Sequence, residues 1–226
     1  MIFRNPVLGL FAKWPRAGLV KTRLAATVGP ERAAAIARAF LLDTLDRLAA
    51  IPVRRVVAFA PDEAREDFAA LARGRFDLHP QGDGDLGVRM GRFIATEIAV
   101  GADAVVLVGA DSPTLPREYI ERAFAELERA DVVLGPATDG GYYLIGCRQR
   151  VPPVFEGVRW GGSRVLADTI ARLPGADWRL FLLPPWYDVD APDDWHMLRG
   201  HIAALRRAGF DPGVPFTEAL CQKDDR

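Results

Sequence analysis

Residues 104–109, Ala-Val-Val-Leu-Val-Gly, are apolar at every position and lead at once into Ala110-Asp111-Ser112-Pro113. A strand with one face in water alternates apolar and polar residues. A strand covered on both faces does not, and such strands belong to parallel sheets enclosed by helices. Apolar runs recur at residues 7–12, at 55–60 behind Arg55 and at 131–135 behind Asp131. The recurring order along the chain is an apolar run, a polar or glycine-containing loop and then helix-period sequence, except that 131–135 leads through Asp139-Gly140-Gly141 to another apolar segment. This rhythm predicts βαβ units, and hence a three-layer α/β/α fold with a mostly parallel central sheet. Helices are expected over residues 30–50, with Pro30 at the first helical position, and over 86–100, 116–130 and 163–173. A late strand is expected over 178–183. A final helix should start behind Asp190 as N-cap, with Pro192 in its first turn, and run to residue 207, with residues 222–226 frayed.

The length of 226 residues suits one domain spanning 1–226. With 29 Lys plus Arg against 30 Asp plus Glu, the formal charge of -1 offers no excess of cations for nucleic acid or anionic lipid, so neither is expected as a partner. Cys147 and Cys221 lack a close Cys or His at metal-ligand spacing, which argues against a disulfide framework or a zinc site and for a reducing cytoplasm. The apolar run at 7–12 is cut by Lys13, too short for a signal peptide, and no run approaches the roughly 20 apolar residues of a spanning helix.

In open α/β sheets ligands sit beyond the carboxyl ends of the strands, so the loops after the strands are where chemistry is sought. The first carries Lys13, Arg16, Gly18, Lys21, Thr22 and Arg23, and two of the chain's three lysines fall in it. Clustered cations at the start of a helical segment suit phosphate, the alternative being a solvated basic loop. Val20 stands where a Walker A motif needs glycine, and no G-x-G-x-x-G follows the first strand, so a P-loop NTPase and a Rossmann dehydrogenase are both rejected. The loop 81–87, Gln-Gly-Asp-Gly-Asp-Leu-Gly, permits close backbone approach to a base or ribose, and the Gln81 amide could read a base edge; alternatively Asp85 simply caps the next helix.

Asp111 stands where a buried parallel strand ends, well placed to hold Mg²⁺ against a diphosphate. Asp139-Gly140-Gly141-Tyr142-Tyr143 could seat an acceptor against the backbone, although Asp-Gly is also an ordinary hairpin turn. Trp160, before Gly161-Gly162-Ser163, is either ligand wall or core. Asp188 and Asp190 alternate on an extended segment and so share a side, and one of them could complete a metal site with Asp111; alternatively Asp190 is the helix cap. His79, His196 and His201 have no nucleophile motif beside them, which argues against triad hydrolysis.

Phe11-Ala12-Lys13 with Pro15, Gly18 and residues 20–24 (Val-Lys-Thr-Arg-Leu), then residues 81–87, 109–113, 139–146 and Trp160, together resemble a bacterial glycosyltransferase-like family of GT-A fold. That family is named for nucleotide-diphospho-sugar transferases, is often associated with radical-SAM proteins, and carries an arsenosugar-biosynthesis label. More distantly, residues 21–24, 110–113 and 188–194 resemble 2-phospholactate and molybdenum-cofactor guanylyltransferases, in which a Thr usually stands at the Ala191 position.

The resemblance implies a Mg²⁺- or Mn²⁺-dependent transferase with Asp111 and Asp190 on the metal, Lys13, Lys21 and Arg23 on the phosphates, and Lys21, Asp111 and Asp139 as catalytic groups. The nucleotide is expected along Phe11, Ala12, Lys13, Gly18, Lys21, Thr22 and Arg23, along Gln81, Gly82, Gly84, Leu86 and Gly87, and at Ala110. A small-molecule acceptor is expected at Gly140, Gly141, Tyr142 and Trp160. Gly109 reduces the usual Asp-x-Asp to one acid. Transfer of sugar from a nucleotide sugar is the first expectation, nucleotidyl transfer from a nucleoside triphosphate the second, and a non-catalytic nucleotide-binding module the third.

Overall fold

In the computed structural model, which describes residues 3–175 and 177–224, seven strands form one sheet: β1 (Pro6–Lys13), β2 (Arg54–Ala60), β3 (Asp77–Pro80), β4 (Ala104–Gly109), β5 (Val132–Pro136), β6 (Tyr142–Arg148) and β7 (Leu180–Leu182). Their spatial order is β3-β2-β1-β4-β6-β5-β7. Every neighbouring pair is parallel except those made by β6, which runs antiparallel to both β4 and β5. The expected α/β/α fold with a mostly parallel sheet is therefore the one observed.

The helices are α1 (Thr22–Val28), α2 (Pro30–Ala49), α3 (Arg65–Ala72), α4 (Leu86–Ala99), α5 (Arg117–Glu126), α6 (Val165–Arg172), α7 (Pro192–Arg207) and α8 (Pro215–Asp224). Among the described residues no helix is long and apolar enough to cross a membrane. Alternation along the strands sorts the core into two layers. Leu8 and Leu10 of β1 and Val106 and Val108 of β4 face Leu41, Leu45, Phe68, Ile120 and Phe124 on one side. Val7, Val105 and Leu107 face Met90, Phe93 and Ile94 of α4 on the other. Burying each such Val or Leu contributes about 1.5–3 kcal/mol, which is why a central strand has no polar position to spare. A third cluster joins Leu24, Ile36 and Phe40 to Trp195, Leu198 and Ile202 of α7 and Cys221 of α8.

Several boundaries differ from the sequence reading. The final helix is not α7: α8 follows it, and residues 222–224 belong to that helix rather than to a frayed end, while 225 and 226 lie outside the described residues. Its start is held by Asp43 of α2, 1% exposed, whose carboxylate accepts from the N–H groups of Phe216 and Thr217 at 3.0 and 2.9 Å and from the Thr217 hydroxyl at 2.6 Å. Asp190 does not cap α7. The Asp194 carboxylate, one turn into the helix, accepts from Asp190 N–H and Ala191 N–H at 3.0 and 2.7 Å, which makes Ala191 the N-cap position and leaves the Asp190 side chain free to face the cleft. Asp85 does cap α4, accepting from Val88 N–H at 2.9 Å.

Candidate active site

The carboxyl ends of β1 and β4, adjacent and parallel, place the first loop beside Ala110-Asp111. Backbone bonds stitch a third segment to them: Val189 N–H donates to the Asp111 carbonyl at 3.0 Å, and Leu24 N–H of α1 donates to the Asp190 carbonyl at 3.1 Å. The Lys21 side chain lies where these three segments meet. Its ammonium bonds the Asp111 carboxylate at short range and the Asp190 carboxylate at 2.8 Å, and lies 5.5 Å from the centre of the Phe40 ring. Lys21 itself is in the left-handed region, φ 47°, at the N-cap of α1. Burial alone would lower its pKa, but the Coulombic pull of Asp111 and Asp190 wins and raises it above the ordinary lysine value.

The sequence reading put Lys21 on the phosphates and the two aspartates on a metal; in the structure all three side chains meet one another. Two carboxylates converging on a single cationic nitrogen are the donor set a hard divalent cation takes, one or two protein carboxylates with the remaining positions left to phosphate and water. Asp111 and Asp190 therefore fit Mg²⁺ or Mn²⁺, with the ammonium as stand-in. Among the described residues no cluster of three or more His, Cys, Asp or Glu side chains forms a metal cage.

On the near side, a cavity of about 620 Å³ is lined by Lys13, Trp14, Arg16, Gln81, Gly82, Asp83 and Arg89, and also by Pro61, Asp62 and Glu63 beyond β2. A second, of about 240 Å³, is lined by Phe11, Lys21, Ala110, Asp111 and Asp190, and Lys13 and Leu19 border both. Lys13 donates to the Leu19 carbonyl at 2.9 Å, pinning the loop; Gly18, Thr22 and Arg23 are exposed along it.

Gln81 lines the larger cavity, but its amide N–H₂ already donates to the carbonyls of Ala58 and Ala12 at 2.8 and 3.3 Å, so it is a brace between strand ends before it is a reader of bases. Arg92 donates to the Gln81 and Asp83 carbonyls at 3.0 and 2.9 Å, and Arg89 to the Gly84 carbonyl at 2.8 Å. These two arginines of α4, which the motif reading passed over, strap the 81–84 loop; their placement three residues apart on a helix facing that loop was the available signal.

On the far side, Thr138 N–H donates to the Trp186 carbonyl at 3.0 Å, setting the Asp139 turn beside the segment 186–190. Asp139 is exposed and accepts from Gly141 N–H at 2.8 Å. Asp188, which the sequence offers with Asp190 as a candidate to complete a metal site with Asp111, belongs to this group. Ser112 donates to it at short range, and its pKa rises to about 6, through burial and then the neighbouring charges of Asp111, Asp139 and Asp190, against the Ser112 bond. Its alternation with Asp190 along the extended segment is the signal that marks it in the sequence; its bond to Ser112 is not legible there.

Gly140 and Trp160 are tied to structure as well. A Cβ on Gly140 would lie 2.1 Å from the Ser163 carbonyl oxygen. Trp160 packs edge-on to Tyr142, centroids 6.3 Å apart, and against Gly87, where a Cβ would lie 2.6 Å from the indole ring. Burial pushes the Tyr142 hydroxyl pKa up. The pair thus faces the α4 side of the core, and Gly140 and Gly141 border the turn of Asp139.

A mostly parallel seven-stranded sheet flanked by helices is the architecture of the nucleotidyltransferase and GT-A-like folds, and the chain is an enzyme of the transferase class. Residues 44–162 match the family described as "Uncharacterized protein conserved in bacteria (DUF2064)", and the chain belongs to that family.

Among curated relatives, a 3-phospho-D-glycerate guanylyltransferase of Phenylobacterium zucineum is 41% identical over 61% of this chain and 65% of that protein. A phosphoenolpyruvate guanylyltransferase of Streptosporangium roseum is 35% identical over 77% of each. A crystal structure from Desulfovibrio desulfuricans G20, whose name proposes a nucleotide-diphospho-sugar transferase, superposes with a TM-score of 0.86 at 33% identity, covering 96% of this chain and 97% of that one. The two curated relatives carry the guanylyltransferase name of the more distant resemblance and the Desulfovibrio structure the nucleotide-diphospho-sugar transferase name of the first; none of the three carries the radical-SAM or arsenosugar label.

Proposed function

We propose that the chain is a nucleotidyltransferase that transfers the nucleoside monophosphate of GTP to a small phosphorylated acid and releases pyrophosphate. The observation that carries this reading is the meeting of Lys21, Asp111 and Asp190 at the β1–β4 edge, beside a loop with Lys13 and Arg23 and a cavity large enough for a nucleoside. Relatives named for guanylyl transfer to phosphorylated acids supply the donor and acceptor class. Glycosyl transfer, the first expectation from the sequence, takes second place, because a loop rich in lysine and arginine suits a triphosphate and a pyrophosphate leaving group better than a sugar diphosphate.

In this reading an oxygen of the acceptor's phosphate attacks the α-phosphorus, the α–β bridging P–O bond breaks, and pyrophosphate carries off the electron pair. Lys13, Lys21 and Arg23 hold the β- and γ-phosphates and stabilise the charge that develops on them, a fixed arrangement that costs no reorganisation during the step. Asp111 and Asp190 would hold Mg²⁺ or Mn²⁺, which when bound withdraws charge from the phosphate oxygens. The larger cavity takes the nucleoside, with Gln81 keeping the β1 and β2 ends at fixed separation. The Asp139–Gly141 turn and Ser112–Asp188 face the acceptor, and alignment of acceptor with the α-phosphorus supplies much of the rate.

The test is a panel of the four nucleoside triphosphates and of nucleotide sugars, each with Mg²⁺ or Mn²⁺, against 3-phosphoglycerate, phosphoenolpyruvate and 2-phospholactate. Pyrophosphate release that needs both GTP and one acid supports the proposal. Release of nucleoside diphosphate from a sugar nucleotide, with no pyrophosphate from any triphosphate, refutes it in favour of glycosyl transfer.

A further inference from the structure

Lys21 is built into its place more firmly than a phosphate-reaching lysine needs to be. Its side chain is 4% exposed, while those of Asp111 and Asp190 are 53% and 46% exposed. Its backbone takes the left-handed conformation that L-residues avoid, and α1 starts directly behind it, with Ala25 N–H bonded to the Lys21 carbonyl at 2.8 Å. From this geometry we infer that Lys21 is a resident counter-cation that makes entry of the divalent metal conditional on the nucleotide. The inference rests on the nucleotidyl-transfer reading of the site and adds an order of binding to it.

A metal ion arriving alone must take the Asp111 and Asp190 oxygens from an ammonium that then remains buried with no anion beside it. A buried charge deprived of its partner is heavily penalised, so the free ion binds weakly. A nucleotide changes the balance, because its phosphate oxygens give Lys21 new acceptors as the metal takes the carboxylates. The lysine thus exchanges one set of anions for another and is never left unpaired. By linkage, nucleotide tightens metal binding and metal tightens nucleotide binding by the same factor. A lysine that only braced the fold would give the opposite sign on removal: a loosened site and weaker metal binding.

The experiment titrates Mn²⁺ alone, and Mn²⁺ in the presence of GTP, into the wild type, Lys21→Met and Lys21→Arg, followed by calorimetry and by the Mn²⁺ electron paramagnetic resonance signal, with melting curves to confirm folding. Loss of a charge-assisted contact of this kind should let Lys21→Met bind Mn²⁺ alone roughly tenfold to a hundredfold more tightly than wild type. Lys21→Arg, which keeps the charge, should stay weak. GTP should enhance Mn²⁺ binding strongly in the wild type and little in Lys21→Met. Should Lys21→Met fail to fold, Lys21→Gln, neutral but able to hydrogen-bond both carboxylates, is expected to show the same tightening. Equal or weaker Mn²⁺ affinity in the neutral variant, with GTP still enhancing it in the wild type, overturns the counter-cation role and leaves the proposed function standing. Absence of Mn²⁺ binding in every protein, with and without GTP, overturns both.

Discussion

Replacing Gly140 by alanine tests how the Asp139 turn is seated. The new Cβ would lie 2.1 Å from the Ser163 carbonyl oxygen, 2.6 Å from its carbonyl carbon and 2.7 Å from its Cα, at a backbone φ of +93°. All three neighbours are backbone, and Leu166 N–H bonds the Gly140 carbonyl at 2.9 Å, so no side chain can swing aside to make room. Forcing a methyl group into such packing costs about 1–3 kcal/mol, and a side chain in the left-handed region adds roughly 1–2 kcal/mol. For a chain of this size each kcal/mol lowers Tm by about 2–4 °C, so a fall of roughly 4–20 °C is expected. Gly161→Ala is the matched control: φ is +82° but nothing lies within 4 Å of the added Cβ, so only the backbone cost applies. Differential scanning calorimetry of both variants separates the packing cost from the conformational one. A Gly140→Ala protein that melts no lower than Gly161→Ala would show that the 161–164 segment does not rest on the turn, and the reasoning that places Asp139 through this contact would be wrong.

Burial pushes the Cys147 thiol up to about 12, so in native buffer near pH 8 it should resist an aromatic disulfide reagent until the protein unfolds; modification at the rate of a free thiol would contradict its place on β6. Burial works against ionisation of Asp131, but bonds from Arg179 and the nearby Arg148 overcome it and hold its pKa down to about 2 from 3.8. Because the folded value is the lower one, its contribution is present above 3.8 and is lost as pH falls through about 2; urea unfolding across that range should show Asp131→Asn less stable near neutrality and with a shallower acid decline than wild type. Asp111→Asn should leave the protein folded but melting a few degrees lower, because the buried Lys21 ammonium keeps only Asp190, while weakening Mg²⁺–GTP binding by tenfold or more; unchanged affinity in titration calorimetry would remove Asp111 from the metal assignment.

β4 was legible to the residue, at 104–109, because a strand buried on both faces leaves no polar position to blur its ends. The start of α2 at Pro30 was legible for a local reason too, a proline whose missing N–H costs nothing in the first turn. The N-cap of α7 was not: Asp190 had the right residue type, but Asp194 reaches back to the same N–H groups, and only the folded turn decides between two competing carboxylates. α8 was missed because its start depends on Asp43, far away on α2, rather than on a cap of its own. In the candidate site the loops after β1, β4 and β5 were legible, since each follows a recognisable strand, whereas the four-residue β3 before the 81–87 loop was not read as a strand and the contacts between the loops were not legible. Lys21 meets carboxylates 90 and 169 positions away, and no spacing rule in the sequence carries that distance.

The reversal of β6 also bears on how such a site can diversify. Asp111 leads into α5 and Asp190 into α7, so lengthening either loop shifts a helix that the core must then repack. Asp139 stands between two strands that pair directly, with no helix spent on the connection and a register irregularity already present at Gly135/Pro136. A change of turn length there displaces no helix directly along the chain, and its cost falls on the local contacts of the turn with Ser163, Leu166 and Trp186. One wall of the cleft can therefore be redrawn over evolution, or in the laboratory, while the lysine and the aspartates opposite stay in register.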